Sequence, residues 1–331
     1  MRFRKAKILI VFMFCSSIIF GQTNDTNESM EKKLTLDKLA ENKSHLIFLS
    51  PHADDAVWSC GGLISKSSRK GCKTEIITIY LGNPTENDLP KLQQKEIDKK
   101  GNIEKRKLED IEAFKTLNIK GEAWDFPSRF LRKPWMTKRT EIFNAPDRDT
   151  IIKTENYIEL EKSITELFKN NPDAYFFAPI GIGKNYDHIE THIAILNVAL
   201  KENRLGQVFF CEDGYGMFTK NRKNHFLLKD YTWKKSNAPE RTSIMWRIMG
   251  NVMSNAVSKT DYMNYIPNEL KSNKWQIDRV SISNDFEQKM LALSKYESQV
   301  SQFGGMIKLR ILFLKYHEYW NDCEIYWSIK Q

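Results

Sequence analysis

Short apolar runs alternate with segments of helical periodicity through the first two thirds of the chain. The run at residues 46–49 predicts a buried strand, because it is brief, continuous and closed by Ser50 and Pro51. Segment 103–117 instead repeats its apolar residues at the spacing of an amphipathic helix. The predicted strands are 46–49, 75–81, 123–126, 174–178 and 207–211, and the predicted helices are 55–69, 103–117, 156–169, 187–202, 286–301 and 306–320.

This alternation predicts an α/β fold with a three-layer, Rossmann-like architecture. Strands that alternate with helices form βαβ units, hence a mostly parallel sheet with helices on both faces. Ligands of such sheets bind outside the carboxyl ends of the strands. Residues 212–285 show no clear period, and we interpret them as an insertion or cap.

The first 22 residues have the pattern of a secretory signal peptide. Four basic residues, Arg2, Arg4, Lys5 and Lys7, precede an apolar run at 8–20. That run is short for a membrane span, which needs about 20 residues, although an uncleaved anchor is the alternative. Polar residues 23–43 are interpreted as a linker. We therefore expect an exported protein, periplasmic or secreted, whose only membrane contact would be an uncleaved leader.

Composition is that of a globular protein, with 41% hydrophobic and 28% charged residues among 331. The formal charge is +9, and without the four basic leader residues it is 9 − 4 = +5. Such a surplus is too small to indicate nucleic-acid binding. Four cysteines remain beyond the leader, and two disulfides are conceivable in an export context. We expect buried thiols, because a core of this size needs no covalent staple: Cys60, Cys72, Cys211 and Cys323.

Candidate chemistry begins in the loop after the first strand, where His52, Asp54 and Asp55 lie within four residues. Imidazole and carboxylate are ligands of catalytic zinc, which keeps one position open for water. One Asp can bind a metal while the other accepts a proton. The alternative is that an Asp only caps the following helix.

The loop after the fourth strand carries Asp187 and His188. If the two loops lie at neighbouring strand ends, His188 would complete a ligand set of two His and one Asp with His52 and Asp55. His192 lies one helical turn beyond His188. We expect His192 to pack rather than bind metal, since the spacing lacks the Glu of a diagnostic zinc helix.

These residues resemble the PIG-L/LmbE-type zinc-dependent N-acetylglucosaminyl deacetylases. The family's His-Pro-Asp-Asp-Glu motif corresponds to 52–56, and its His-x-Asp-His motif to 185–188. Further similarities are spread in order along the chain, so the deacetylase-like domain would span 44–331. They are Ser59-Cys60-Gly61-Gly62, Arg106-x-x-Glu109, Asp125-Phe126-Pro127, Glu212-Asp213-Gly214-Tyr215, Tyr296-x-Ser298-Gln299 and Glu324-Ile325-Tyr326-Trp327.

The resemblance implies an enzyme that hydrolyses the N-acetyl amide of an amino sugar or glycoconjugate. His52, Asp55 and His188 would bind Zn²⁺, although Fe²⁺ and other divalent ions fit similar ligands. Asp54 would be the general base toward water, and Asp187 would orient a neighbouring catalytic group. Candidates for contacting the sugar are Arg106, Trp124 and Tyr215, whose alternatives are a solvated ion pair for the arginine and core packing for the aromatic residues.

Departures from the family pattern keep a second interpretation open. Asn185 stands where the family has His; Asn can donate a hydrogen bond but cannot supply a proton at neutral pH. Ala53 and Ala56 replace the Pro and Glu of the first motif. A carbohydrate-binding protein without turnover is therefore the rival hypothesis. A nucleotide-binding Rossmann protein is disfavoured, because the first turn lacks a GxGxxG sequence.

Overall fold

The computed structural model describes residues 36–100, 102–214, 216–218, 220–231 and 259–330. Within these residues, seven strands form one sheet: β1 (His45–Ser50), β2 (Lys73–Thr78), β3 (Lys120–Ala123), β4 (Tyr175–Pro179), β5 (Val208–Cys211), β6 (Trp275–Ser281) and β7 (Cys323–Ile329). The helices described are α1 (Leu36–Glu41), α2 (Asp55–Lys70), α3 (Lys91–Lys100), α4 (Ile103–Leu117), α5 (Arg148–Ile151), α6 (Glu155–Asn170), α7 (Tyr186–Lys201), α8 (Phe286–Leu293), α9 (Glu297–Val300) and α10 (Met306–Tyr319).

The order of strands across the sheet is β3-β2-β1-β4-β5-β7-β6. The five strands β1 to β5 pair in parallel, as the sequence predicts. Strand β7 pairs antiparallel with both of its neighbours, β5 and β6. Helices α2, α4 and α8 pack together in one group, and α6 packs on α7 in another. The predicted α/β class is confirmed. Chain order reverses between β1 and β4, so their carboxyl ends form the crevice in which such folds bind ligands.

Aromatic stacking across the central strands forms much of the core. The rings of Phe48 and Phe177 lie 4.4 Å apart between centroids, and Phe209 stacks on Phe177 at 5.4 Å. All three side chains are buried. Strands covered on both faces are continuously apolar, which explains why β1, β4 and β5 were visible in the sequence.

The predicted cap at 212–285 requires correction. Its last part, Trp275–Ser281, is the edge strand β6, which pairs along its whole length with β7. Residues 232–258 of the same segment lie outside the described residues. The burial of β6 is irregular and only partial, as expected for an edge strand, so no period revealed it.

Two other features also differ from the sequence prediction. The linker at 23–43 ends in α1, whose Leu36 and Leu39 are buried, so its last residues belong to the fold. Helix α4 has the predicted bounds, yet two of the apolar residues whose spacing predicted it, Leu108 and Ile111, are 63% and 45% exposed. The buried face of α4 instead includes Glu109 and Asp110, because it meets a polar partner segment described below.

The cysteines beyond the leader are free thiols. Three are buried, as predicted: Cys60, Cys72 and Cys211. Cys323 is only half-buried. None of the helices in the described ranges has the length and apolar character that crossing a bilayer requires.

Candidate metal centre and active site

Two loops at the adjacent ends of β1 and β4 bring together His52, Asp55 and His188. The Asp55 Oδ2 atom lies 3.0 Å from His52 Nδ1 and 3.1 Å from His188 Nε2. One ligand atom from each of the three side chains lies within 4.8 Å of the other two. Residues 136 positions apart along the chain thus converge as the sequence predicted, because β1 and β4 are neighbours in the sheet.

A carboxylate holds the outer nitrogen of each imidazole. The Asp187 Oδ2 atom lies 2.9 Å from His52 Nε2, and Asp213 Oδ1 lies 2.5 Å from His188 Nδ1. Histidine ligands of metals usually have such a partner, which fixes the ring orientation and strengthens the other nitrogen as a ligand. Both rings are therefore oriented with their inner nitrogens toward Asp55.

This arrangement fits a divalent cation. His52 Nδ1, Asp55 Oδ2 and His188 Nε2 are the three donors that would hold it, and all belong to the ligand types of catalytic zinc. Burial alone would raise the pKa of Asp55, but the neighbouring His188 and His52 imidazoles outweigh burial and hold that pKa well below its usual range. Asp55 consequently keeps the negative charge that a metal ligand requires.

Asp54 lies in the chain between His52 and Asp55, two members of the metal cluster formed by His52, Asp55 and His188, and has an unusual backbone conformation. Its φ of 98° lies in the left-handed region, which non-glycine residues adopt at a cost of about 1–3 kcal/mol. Its side chain is buried, and Oδ2 accepts a hydrogen bond from Trp58 Nε1 at 3.1 Å. Burial and the adjacent Asp55 charge raise the pKa of Asp54 well above its usual range. A carboxylate with a raised pKa is a stronger proton acceptor.

Helix α4 supports the loop that carries Asp54. Arg106 Nη2 donates to the Ala53 carbonyl at 2.9 Å, and the Asp110 carboxylate accepts from the backbone N–H of Asp54. Asp110 also accepts from the Tyr296 hydroxyl at 2.8 Å, and burial raises its pKa to about 6. Arg106, predicted to contact substrate, thus has at least one hydrogen bond to the loop that carries Asp54.

Tyr296 and Ser298, which belong to one of the similarities with the family, form hydrogen bonds with the same helix, α4. The Glu109 carboxylate accepts from Ser298 twice, at 2.8 Å from its backbone N–H and at 2.6 Å from its hydroxyl. Tyr296 binds the neighbouring Asp110. The segment around α9 therefore fastens the buried polar face of α4, and these residues position the site from a distance.

The remaining predicted residues differ in what they contact. Asn185 caps α7, since its Oδ1 accepts from the Asp187 backbone N–H at 3.0 Å. Trp124 is half-buried, donates to Glu122 at 2.9 Å and lies 6.1 Å from the Phe126 ring. Tyr215 lies outside the described residues.

His192 does not join the metal cluster. Its Nδ1 lies 3.0 Å from the Pro179 carbonyl oxygen, and its ring packs 4.9 Å from Phe210. Burial lowers its pKa to about 4, which keeps the imidazole neutral. The prediction that His192 packs is confirmed.

Sequence reasoning assigned no role to Asp213 or to a buried network beside Asp187. The Arg132 Nη2 atom lies 2.6 Å from Glu190 Oε2 and 3.8 Å from Asp187 Oδ1. The Tyr80 hydroxyl donates to the same Glu190 oxygen at 2.7 Å. The similarity at 212–215 was a signal for Asp213. For Arg132 and Glu190 the pattern offered none, because each is an ordinary charged residue until the fold buries it.

Comparison with known proteins agrees with this geometry. Residues 47–199 match the family model PIG-L, described as GlcNAc-PI de-N-acetylase. The zinc-inhibited form of the teicoplanin deacetylase Orf2 is 20% identical, with a TM-score of 0.60 over 87% of this chain and 98% of that chain. The A40926 pseudoaglycone deacetylase Dbv21 is 16% identical, with a TM-score of 0.58 over the same shares. No curated protein matches the chain.

The two solved structures show a shared fold at these low identities. The family model covers the segment that carries the whole metal cluster, from β1 to α7. Residues 47–199 therefore match the PIG-L family, whose members are de-N-acetylases, hydrolases that act on N-acetyl amides.

Proposed function

We propose that this protein is a metal-dependent deacetylase that hydrolyses the N-acetyl amide of an amino sugar or glycoconjugate, releasing acetate and a free amine. The observation that carries the proposal is the convergence of His52, Asp55 and His188 beside the buried Asp54 carboxylate. The similar structures are a teicoplanin deacetylase and an A40926 pseudoaglycone deacetylase, which supports a deacetylase acting on a glycoconjugate.

Zn²⁺ is the proposed metal, and Fe²⁺ is the alternative that the same ligands accept. A divalent ion bound at the three donors would supply Lewis acidity toward water and the acetyl carbonyl. The chain's own acids and amides would perform the proton transfers and the orientation of groups.

Asp54 is the proposed base. Its carboxylate takes a proton from the attacking water as the oxygen bonds to the acetyl carbon. When the C–N bond breaks, the same proton passes from Asp54 to the leaving nitrogen, so acetate and amine form without another donor. Asp187 acts by holding His52, and Asn185 is proposed to donate a hydrogen bond from its amide nitrogen to the acyl oxygen.

A carbohydrate-binding protein without turnover remains the second candidate. The observation that favours it is Asn185, whose oxygen is engaged in capping α7 and whose side chain cannot supply a proton. Both candidates bind metal and sugar, and only the first releases acetate. Export through the leader at 1–22 stays a prediction that we include in the proposal.

Removal and replacement of the metal tests the proposal. The mature protein would be treated with a chelator, refilled with Zn²⁺ or Fe²⁺, and assayed for liberated amine against a panel of N-acetylated amino sugars. We expect activity to vanish on chelation and to return on refilling. The His192→Gln variant is the matched control, since that imidazole lies outside the cluster and its variant should refill normally. Stoichiometric metal without amine release from any sugar would favour the binding protein.

A further inference from the structure

Arg129 forms part of the wall of the metal site through its backbone. It begins a short 3-10 turn, Arg129–Leu131, which Ser128 caps by accepting from the Phe130 N–H. The Arg129 backbone N–H donates to Asp187 Oδ1 at 2.8 Å, while the other oxygen of Asp187 contacts His52. A single carboxylate thus separates Arg129 from a proposed metal ligand.

The Arg129 guanidinium has unused hydrogen-bonding capacity. Its Nη1 donates to the Arg132 carbonyl oxygen at 3.1 Å, and its carbon lies 5.5 Å from the centre of the Tyr186 ring. Among the residues described, no carboxylate forms an ion pair with it, and Nε and Nη2 have no hydrogen-bond acceptor. These two nitrogens are one edge of the planar fork that binds carboxylate or phosphate with two parallel bonds.

The acids that could neutralise Arg129 are already engaged. Arg132 lies over the same Tyr186 ring at 5.5 Å and forms the ion pairs with Glu190 and Asp187. Burial and the positive charge of Arg132 both lower the pKa of Arg129. Two positively charged guanidiniums therefore lie against the Tyr186 ring, and only Arg132 is paired with carboxylates. An anion that bound beside Arg129 would stabilise its positive charge.

Arg129 is connected through Asp187 to His52, the member of the metal cluster that is most exposed to solvent. His52 is 17% exposed in its side chain, whereas Asp55 and His188 are 6% and 5% exposed. Solvent therefore reaches the cluster beside His52, which is the residue that shares Asp187 with Arg129. Arg129 itself is half-buried, so part of this residue is also accessible to a ligand.

We infer that Arg129 is the centre of an anion subsite, which selects substrates with a carboxylate or phosphate near the N-acetyl group. The inference rests on the proposed deacetylase function and narrows its substrate class. Arg129 is a specificity residue in this account, because its free edge would bind a substituent that takes no part in amide hydrolysis.

Three N-acetylated sugars distinguish the sources of the anion. N-acetylglucosamine is neutral, N-acetylglucosamine 1-phosphate carries a phosphate and N-acetylmuramic acid carries a carboxylate. Amine release would be measured for the zinc-loaded wild type and for Arg129→Gln and Arg129→Lys. Arg310→Gln is the matched control, since that exposed arginine pairs with Glu287 on the distant α8. The ratio of kcat/KM for each charged sugar to that for the neutral sugar is the quantity compared.

We expect the wild type and Arg310→Gln to prefer one charged sugar by about tenfold or more, as a hydrogen bond to a charged group would give. Arg129→Gln should bring that ratio close to one, mainly through KM, and Arg129→Lys should restore part of it. Dividing by the neutral rate removes any general effect of the variant on Asp187.

Two results would overturn the inference: a wild type that hydrolyses the neutral sugar as fast as both charged sugars, or a preference that Arg129→Gln leaves intact. Absence of amine release from all three sugars, and from the wider panel, would instead refute the proposed function.

Discussion

Two buried polar clusters of the molecule differ in how their hydrogen bonds are completed. Around Glu324, Oε1 accepts from the Gly62 N–H at 2.8 Å and from Lys289 Nζ at 2.7 Å. Its Oε2 accepts from the Leu63 N–H at 2.8 Å and from the Tyr326 hydroxyl at 2.9 Å. One acid is matched by one base, and every lone pair has a donor, so this cluster has no capacity for a ligand.

The metal cluster has the opposite design. Two imidazole nitrogens and a carboxylate oxygen point at one another, and the carboxylates of Asp187 and Asp213 stand behind the rings. The side chains of Lys289 and Glu324 are 1% exposed, whereas His52 is 17% exposed. Saturated donors and acceptors thus indicate a structural role, while converging lone pairs with solvent access indicate a ligand site.

The sharpest test of this comparison is a variant that affects chemistry alone. Asp54→Asn removes the proposed base and keeps the shape of the side chain. Turnover should fall by about 10²–10⁴-fold, the usual contribution of a positioned base. Zinc content and melting temperature should match those of the wild type. A rate within a few fold of the wild type would exclude Asp54 as the base.

A variant of the Glu324 cluster should lose stability and keep its activity. Lys289→Met leaves a buried carboxylate without its cation, so the free energy of unfolding should fall by about 3–5 kcal/mol in urea denaturation. Activity per folded molecule should persist. Lys271→Met, at an exposed position, is the control. The double variant Lys289→Met, Glu324→Gln should recover part of the stability, and no recovery would contradict the pairing.

The carboxylate behind His188 should have an intermediate effect. Asp213→Asn keeps a hydrogen-bond acceptor but removes the charge that orients the imidazole, so zinc affinity should weaken by about 10–100-fold. Competition with a chelating dye measures this, with Asp149→Asn as an exposed control. Unchanged affinity would mean that backbone packing alone fixes the ring.

The smallest expected effect concerns His192 and pH. Its pKa is about 4 in the folded protein and about 6.5 in the unfolded chain. Between these values only the unfolded chain binds the proton, so acidification from pH 7 to pH 4 lowers stability. His192→Gln should reduce this pH slope by about one proton. A slope equal to that of the wild type would show that the imidazole titrates normally.

Much of the fold and the metal cluster could be predicted, because the decisive signals were local. Continuous apolar runs indicated strands β1 and β4, and the loops that carry the two motifs follow these strands directly. Helix α4 was placed to the residue. His188 could be paired with His52 because parallel strands end at the same edge of the sheet.

The rest depended on contacts between distant segments. Asp213 reaches His188 only because β5 lies beside β4, and the sequence did not single out that carboxylate. Strand β6 was missed because an edge strand is only partly buried and has no strong period. Strand β7 lies inside the sheet and is buried, but the polar residues Glu324 and Ser328 interrupt its apolar sequence. The exposed Leu108 shows the same limit, since α4 turns its acids inward toward Tyr296 and Ser298.

The proposed function depends on one divalent cation held by the side chains of His52, Asp55 and His188. The most direct measurement is the zinc content of purified protein after equilibrium dialysis, determined for the wild type, His188→Gln and His192→Gln. We expect one zinc per chain in the wild type and in His192→Gln, and almost none in His188→Gln. Equal zinc content in all three proteins would contradict this expectation.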